Sequence, residues 1–262
     1  MGPNASRRFL SFLLVAFVLA GSAICQTAPF STTQIVVVTT AGWDSITGQA
    51  QLFERKKPGA SWKPVGSPFE IVVGKTGLAW GNGVLTPAPQ TSDPIKKEGD
   101  GKAPAGVFRL SKAFGYASQP PAGAKLEYLA LSPSIECVDD TASRYYNKIE
   151  DRASVAPDWN SSEHMRRSDE LYRWGVVVDH NADPPKAGSG SCIFMHIWRG
   201  PGQGTVGCTA MPQARIEALL GWIDPARQPL LIQMPRPEYE AVRKRLKLPK
   251  VKKARQDTNP LF

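Results

Sequence analysis

Short β-branched or alternating apolar runs, separated by glycine- and proline-bearing turns, dominate the hydrophobic pattern of this chain. Gln34–Thr40 (QIVVVTT), Ala50–Arg55 and Phe69–Val73 predict strands, with Lys57–Gly59 and Val65–Pro68 as turns around them. Trp174–Asp179, the glycine-free stretch 192–198 and Leu230–Met234 predict further strands. Between Gly99 and Leu110, Pro104 and Gly106 predict a turn, after which Val107–Leu110 resumes a strand. Helical signals are fewer. Pro212 followed by QARIEALL and Gly221 has proline at one end of a helix and glycine at the other. Pro237, Glu238 and Glu240, then Arg243–Arg245 and Lys247, follow the charge order expected along a helix dipole. Thr141–Arg152 and Ser161–Trp174 predict two more short helices, the second opening on a serine cap and a first-turn acid. The expected fold is mainly β, a β-sandwich or closed mixed sheet with a few short helices. Residues 85–98 read as a proline-rich surface loop. Gly74–Gly83 is glycine-dense but lacks the Gly-Lys-Ser/Thr ending of a phosphate loop.

Candidate chemistry concentrates between Cys192 and Pro212. If the strand at 192–198 reverses at a turn centred on Gly202, His196 and Cys208 lie equidistant from that turn and fall opposite each other. Directly opposed residues of an antiparallel pair have Cβ atoms about 5 Å apart, close enough for an imidazole to reach a thiol. That pairing is what a cysteine nucleophile and its base need. Gly207 removes bulk and permits unusual dihedrals beside the sulfur, so a substrate carbonyl can approach backbone amides there. The helix start at Pro212 places Cys208 ahead of a positive helix end, which favours thiolate. The bland alternative is a satisfied strand histidine and a small buried cysteine. His180, in Asp179-His-Asn-Ala-Asp183, lines a site, serves the structure, or joins a metal cluster; no His-x-His, His-Glu-x-x-His or Cys-x-x-Cys spacing supports zinc.

Thr205-Val-Gly207-Cys208-Thr-Ala-Met211, with His196 upstream, resembles the signature of the L,D-transpeptidase catalytic domain, in which His precedes Ser/Thr-x-Gly-Cys-x-Arg-Met/Leu. Gly99–Phe108 is similar to that family's Gly-Lys-x-Thr-Pro-x-Gly-x-Phe segment, with Lys102 as a substrate contact or a solvated turn lysine. The resemblance implies that Cys208 accepts the acyl group, that His196 is its base, and that the amides of Gly207 and Cys208 form part of an oxyanion hole. It departs in two places: the family's arginine two residues after the cysteine is Ala210, and a frequent histidine two before it is Val206. A substrate-orienting cation must come from elsewhere, and Arg199 is the expectation; Thr205 and His180 complete the expected substrate-binding set.

The ends of the chain add localisation and charge. Arg7-Arg8, the apolar run Phe9–Ala20 and the small residues around Gly21–Ala28 read as a cleaved signal peptide at 1–25, too short to span a bilayer comfortably. Lipidation at Cys25 is the weaker reading. Export to the periplasm or cell envelope leaves Cys137, Cys192 and Cys208, an odd number in an oxidising compartment. If Cys208 is the reactive thiol, Cys137 and Cys192 are left to form a disulfide; Cys192 as nucleophile is the rival reading. The chain of 262 residues carries a formal charge of +9, of which residues 236–262, with nine Lys/Arg and three Asp/Glu, hold +6. The expected organisation is thus a catalytic domain at 30–235 and a basic tail at 236–262. The tail is either merely solvated or held near anionic wall polymer or lipid headgroups; export argues against nucleic acid.

The expected activity is an exported cysteine acyltransferase acting on peptidoglycan stem peptides, with no cofactor and no metal. Hydrolysis of the same bond by an L,D-carboxypeptidase, a non-catalytic wall-binding protein and, more distantly, a metal-dependent murein peptidase are the alternatives.

Overall fold

A computed structural model describes residues 30–252 together with Gly2; the rest of the signal segment, residues 26–29 and residues 253–262 lie outside the described residues. Thirteen strands and two helices follow the chain in the order β1 (Gln34–Thr40), β2 (Thr47–Glu54), β3 (Lys63–Val72), β4 (Leu78–Trp80), β5 (Ala103–Gly115), β6 (Glu127–Ala130), β7 (Ile135–Val138), β8 (Ile149–Asp151), β9 (Ser162–His164), β10 (Trp174–Val178), β11 (Phe194–Ile197), β12 (Thr209–Met211), α1 (Gln213–Trp222), β13 (Leu230–Pro235) and α2 (Arg236–Arg243).

The main sheet has ten strands and runs β10-β11-β12-β3-β2-β1-β13-β5, where β5 pairs back onto β10; β4 and β6 attach to β5. Of the expected architectures it is the closed sheet, barrel-like and mixed. The pairings β1–β13 and β11–β12 are parallel, while β1–β2, β2–β3 and β13–β5 are antiparallel. β1 is buried at every residue, which explains its unbroken β-branched run. It lies between two neighbours in the sheet, and α2 packs on β1 and β13.

Val65–Pro68 is not a turn but the middle of β3. Gly66 takes φ 64° there, the register against β2 slips between Ala50 and Leu52, and Gln51 Nε2 donates to the Gly66 carbonyl at 3.1 Å. A glycine at positive φ inside a pairing marks a bulge, which sequence alone does not separate from a turn. Pro104 and Gly106 likewise lie within β5, where Gln233 Nε2 donates to the Pro104 carbonyl at 2.9 Å.

The two helices expected at Thr141–Arg152 and Ser161–Trp174 are absent. These stretches contribute turns and the strands β8 and β9, which flank β7 in a second, three-stranded sheet. Its organising group is the buried Glu136 carboxylate, which accepts from Trp159 Nε1 and Ser162 Oγ at 2.7 Å and from Arg152 at 3.1 Å. Satisfying a buried carboxylate requires converging donors, and antiparallel pairing of residues 149–151 and 162–164 with β7 brings them in, so these backbone groups bond across a sheet rather than along helices. A disulfide of S–S 2.11 Å joins Cys137 on β7 to Cys192 just before β11.

Residues 236–252 continue the core. Tyr239, Val242, Leu246, Leu248 and Val251 belong to the main hydrophobic cluster, and Tyr239 Oη donates to the Pro249 carbonyl at 2.6 Å. These buried apolar positions tie the basic segment 236–252 to the domain core.

Candidate active site

β11 shows how the fold separates its two faces. Met195 and Ile197 belong to the main core, whereas Phe194 lies in a smaller cluster with Cys192, Cys208, Tyr172 and Phe114. His196 shares the second face by strand alternation, and its ring meets Tyr172 edge-on at 5.0 Å. Phe114 demands a glycine opposite His196: a Cβ on Gly175 would come within 2.2 Å of the Phe114 ring.

The expected hairpin does not form. β12 runs parallel to β11, pairing Met195 with Thr209, His196 with Ala210 and Ile197 with Met211. Residues 198–208 swing out and return in the same direction, clamped where Thr205 N donates to the Val73 carbonyl at 2.9 Å and Lys75 N to the Thr205 carbonyl at 2.7 Å. Gly204 makes this possible, because a Cβ there would sit 2.6 Å from Lys75 Cα. His196 therefore faces Ala210, and Cys208, two residues earlier, lies on the same face. From strand spacing and rise, the two backbones are about 8 Å apart. Parallel geometry thus still brings both residues to one cavity, by a different register from the one expected.

Both line one cavity of about 250 Å³, with Glu163, Arg167, Tyr172 and Arg199 among its walls. The second sheet and the segment leading to β10 form one side, and the 198–207 crossover forms another. Val206 stands at the rim and is 77% exposed.

Cys208 is buried at 6% exposure. Its Sγ accepts from Phe194 N at 3.3 Å, and its S–H points to the Cys192 carbonyl at 3.6 Å. Burial, reinforced by the Glu163 charge, pushes the thiol up to about 12, against the smaller effects of the Phe194 amide and the Tyr172 hydroxyl. The thiolate-favouring helix end is missing because α1 starts only at Gln213, with β12 in between. His196 Nδ1 lies 2.7 Å from the Ile197 carbonyl. A carbonyl only accepts, so Nδ1 carries the proton and Nε2 keeps its lone pair. Burial drives this imidazole down to about 4, and the positive charges of Arg167 and Arg199 add to the effect. The resting pair is a neutral thiol and a neutral imidazole.

Thr205 Oγ1 accepts from Gly207 N at 3.2 Å and donates to the Cys208 carbonyl at 2.6 Å. It therefore shapes the turn carrying the sulfur, and it occupies the Gly207 amide that was expected to serve an oxyanion. Gly207 has no positive φ, and a Cβ there would meet its nearest neighbours at 3.4 Å, so openness rather than strain is what the glycine supplies.

Arg199 reaches the cavity and, among the described residues, has no ion-pair partner. Arg167 is gripped by Asp169 through two contacts of 2.9 Å and stacks over Tyr172. His180 lies off the cavity wall: it is buried against Phe108 and Gly81, with Nε2 at 2.9 Å from the Ser189 carbonyl. That place makes it a scaffold residue rather than a substrate contact. Lys102 also lies off the wall, bonded to Asp44 at 3.0 Å. Among the described residues no group of three His, Cys, Asp or Glu could hold a metal ion.

Glu163, Arg167 and Tyr172 were missed because they fall in the stretch read as a helix. Tyr172 Oη donates to Glu163 Oε1 at 2.7 Å, and burial raises the Glu163 carboxyl above its usual range.

The barrel-like sheet and its cavity define a β-rich enzyme domain with a cysteine and a histidine in its cleft. The chain belongs to the L,D-transpeptidase catalytic domain family, whose model matches residues 45–232. It is accordingly an L,D-transpeptidase-like protein of peptidoglycan metabolism. No curated protein and no solved structure is significantly similar to it.

Proposed function

We propose that this protein is an exported cysteine acyltransferase that exchanges peptide bonds in peptidoglycan stem peptides through a thioester on Cys208. The observation that carries the reading is the common cavity face of Cys208 and His196, with the imidazole proton fixed on Nδ1. Cys208 Sγ attacks the carbonyl carbon of the amide following the L-centre of a diamino acid, and its proton passes to His196 Nε2. With the thiol near 12 and the imidazole near 4, the ion pair is scarce before substrate arrives, so proton transfer accompanies attack. The Cys208 amide faces the resulting oxyanion. Collapse breaks the C–N bond, and His196 returns its proton to the departing D-amino acid. An amine of a second stem then attacks the thioester, loses its proton to His196 and releases the thiol. Water in place of the amine gives the carboxypeptidase reaction. Arg199, which forms no salt bridge among the described residues, pairs with the carboxylate of the departing D-amino acid, the role left vacant by Ala210.

The signal-like segment at 1–25 supports placement in the periplasm or cell envelope, and a disulfide is compatible with an oxidising compartment. Intact-protein mass spectrometry during turnover of a tetrapeptide stem tests the reading. An adduct equal to the tripeptidyl acyl group, mapped to Cys208, is expected; adduct on another residue, or none while substrate is consumed, contradicts it.

A further inference from the structure

Remote from the Cys208 cavity, a groove of about 750 Å³ runs between the β2–β3 hairpin and the C-terminal segment after α2. Its walls carry Arg243, Lys244, Lys247, Lys250 and Lys252 and, among the described residues, no carboxylate. The sequence ties these positions to the core. In LKLPKVK, Leu246, Leu248 and Val251 are buried in the main core while Lys247, Lys250 and Lys252 are exposed, so an alternating segment presents a row of cations from a packed backbone. Trp62 secures the opposite wall: its Nε1 donates to the Lys247 carbonyl at 3.1 Å, and the Arg55 guanidinium caps its ring at 4.2 Å. Arg243 is paired with Glu240, but Lys244, Lys250 and Lys252 have no carboxylate partner among the described residues. At about 3.3 Å per residue, Pro64 in this groove lies roughly 25 Å along β3 from Val72, the residue that pairs with Ala210 beside the catalytic face.

We propose that this groove binds a chain of an anionic polysaccharide, holding the enzyme on an anionic glycan independently of catalysis. A concave, cation-lined cleft without carboxylates focuses a positive potential and concentrates polyanions. Two other polyanions fit less well. Membrane binding needs apolar side chains to insert beside the cations, and the exposed large hydrophobics among the described residues, Val84, Ile95 and Val206, are none of them here. Single-stranded nucleic acid needs open aromatic faces on which bases stack, and Trp62 packs against the core with Arg55 over its ring. A sugar chain needs only the charges and the neutral floor of glycine, serine and proline.

The test follows binding of fluorescein-labelled polygalacturonate by anisotropy, using the full chain without residues 1–25. Wild type is expected to bind, with affinity falling steeply as salt rises. The combined Lys244→Ser, Lys250→Ser, Lys252→Ser variant is expected to weaken binding at least tenfold without change in melting temperature or in activity on a soluble stem peptide. A control removing the same charge elsewhere, Lys125→Ser, Lys148→Ser, Lys186→Ser, is expected to change binding less than twofold. Equal losses in the two triple variants, or no loss in the first, overturn the proposal. So does tighter binding of wild type to phosphatidylglycerol vesicles or single-stranded DNA than to polygalacturonate at physiological salt. Because the readout is binding, it stands whether or not the acyltransferase reading survives.

Discussion

Replacing both Cys137 and Cys192 with alanine tests how the second sheet is held over the Cys208 cavity. The bridge joins residues 55 apart in sequence. Loop-closure entropy for a loop of that length gives about 4 kcal/mol of stabilisation. For a domain of this size, that corresponds to a melting temperature lower by roughly 10 °C. A local effect adds to the global one. Cys192 N donates to Asn147 Oδ1 at 2.9 Å, and the Cys192 carbonyl accepts from the Cys208 thiol. Loosening this segment therefore frees one of the contacts that positions the sulfur, and kcat is expected to fall while the chain remains folded. The assay is thermal unfolding by circular dichroism of wild type and double variant, with mass spectrometry under non-reducing conditions to verify the bridge in wild type. A melting temperature within about 2 °C of wild type would refute the reasoning, since it would mean that the second sheet is held by its own contacts and not by the bridge.

The buried imidazoles set the acid behaviour. A base must be unprotonated, and with His196 held down to about 4, kcat/KM is expected to rise with pH through about 4 and to be flat above pH 6; an acid limb centred near 6.5 contradicts this. His180 and His196 both have folded values lowered to about 4, whereas an unfolded histidine titrates near 6.5. The unfolded chain thus takes up protons that the folded one refuses, so stability present above pH 6.5 is lost as pH falls toward 4, measurable in urea titrations across that window. Arg199→Ala is expected to raise KM roughly tenfold for stems ending in a free carboxylate and to leave amidated stems unaffected; equal effects on both would remove the carboxylate contact. Gly204→Ala forces a Cβ to 2.6 Å from Lys75 Cα, whereas Gly207→Ala meets nothing closer than 3.4 Å. The first is expected to cost about 1–3 kcal/mol and most of the activity, and the second under about 1 kcal/mol; the reverse order in unfolding experiments contradicts the crossover geometry.

Strand content was legible because β-branched runs such as Gln34–Thr40 state their burial directly, and that run coincides with β1. The start of α1 was legible from Pro212, whereas Gly221, expected to end the helix, lies inside it and the cap falls at Ile223. The course of 198–208 was not legible. A glycine-rich stretch after a strand predicts a reversal, and only the pairing of Thr205 with residues 73–75, far away in sequence, turns it into a parallel crossover. The second sheet was hidden for a related reason: its centre is a buried carboxylate, Glu136, whose donors, Arg152, Trp159 and Ser162, lie well apart from it along the chain, and no periodicity announces such a cluster. The shared face of His196 and Cys208 emerged in the structure through a register that the local pattern did not contain. Tyr172 and Glu163 gave no local signal, since their place at the cavity depends on the fold of the segment misread as a helix.

Incubating the chain without residues 1–25, and its Cys208→Ala variant, with disaccharide tetrapeptide fragments and resolving the products by mass spectrometry tests the central claim most directly. The account predicts crosslinked dimers or released D-amino acid from wild type and unchanged substrate from the equally folded variant. Products from both proteins, or from neither, would contradict a thioester route through Cys208.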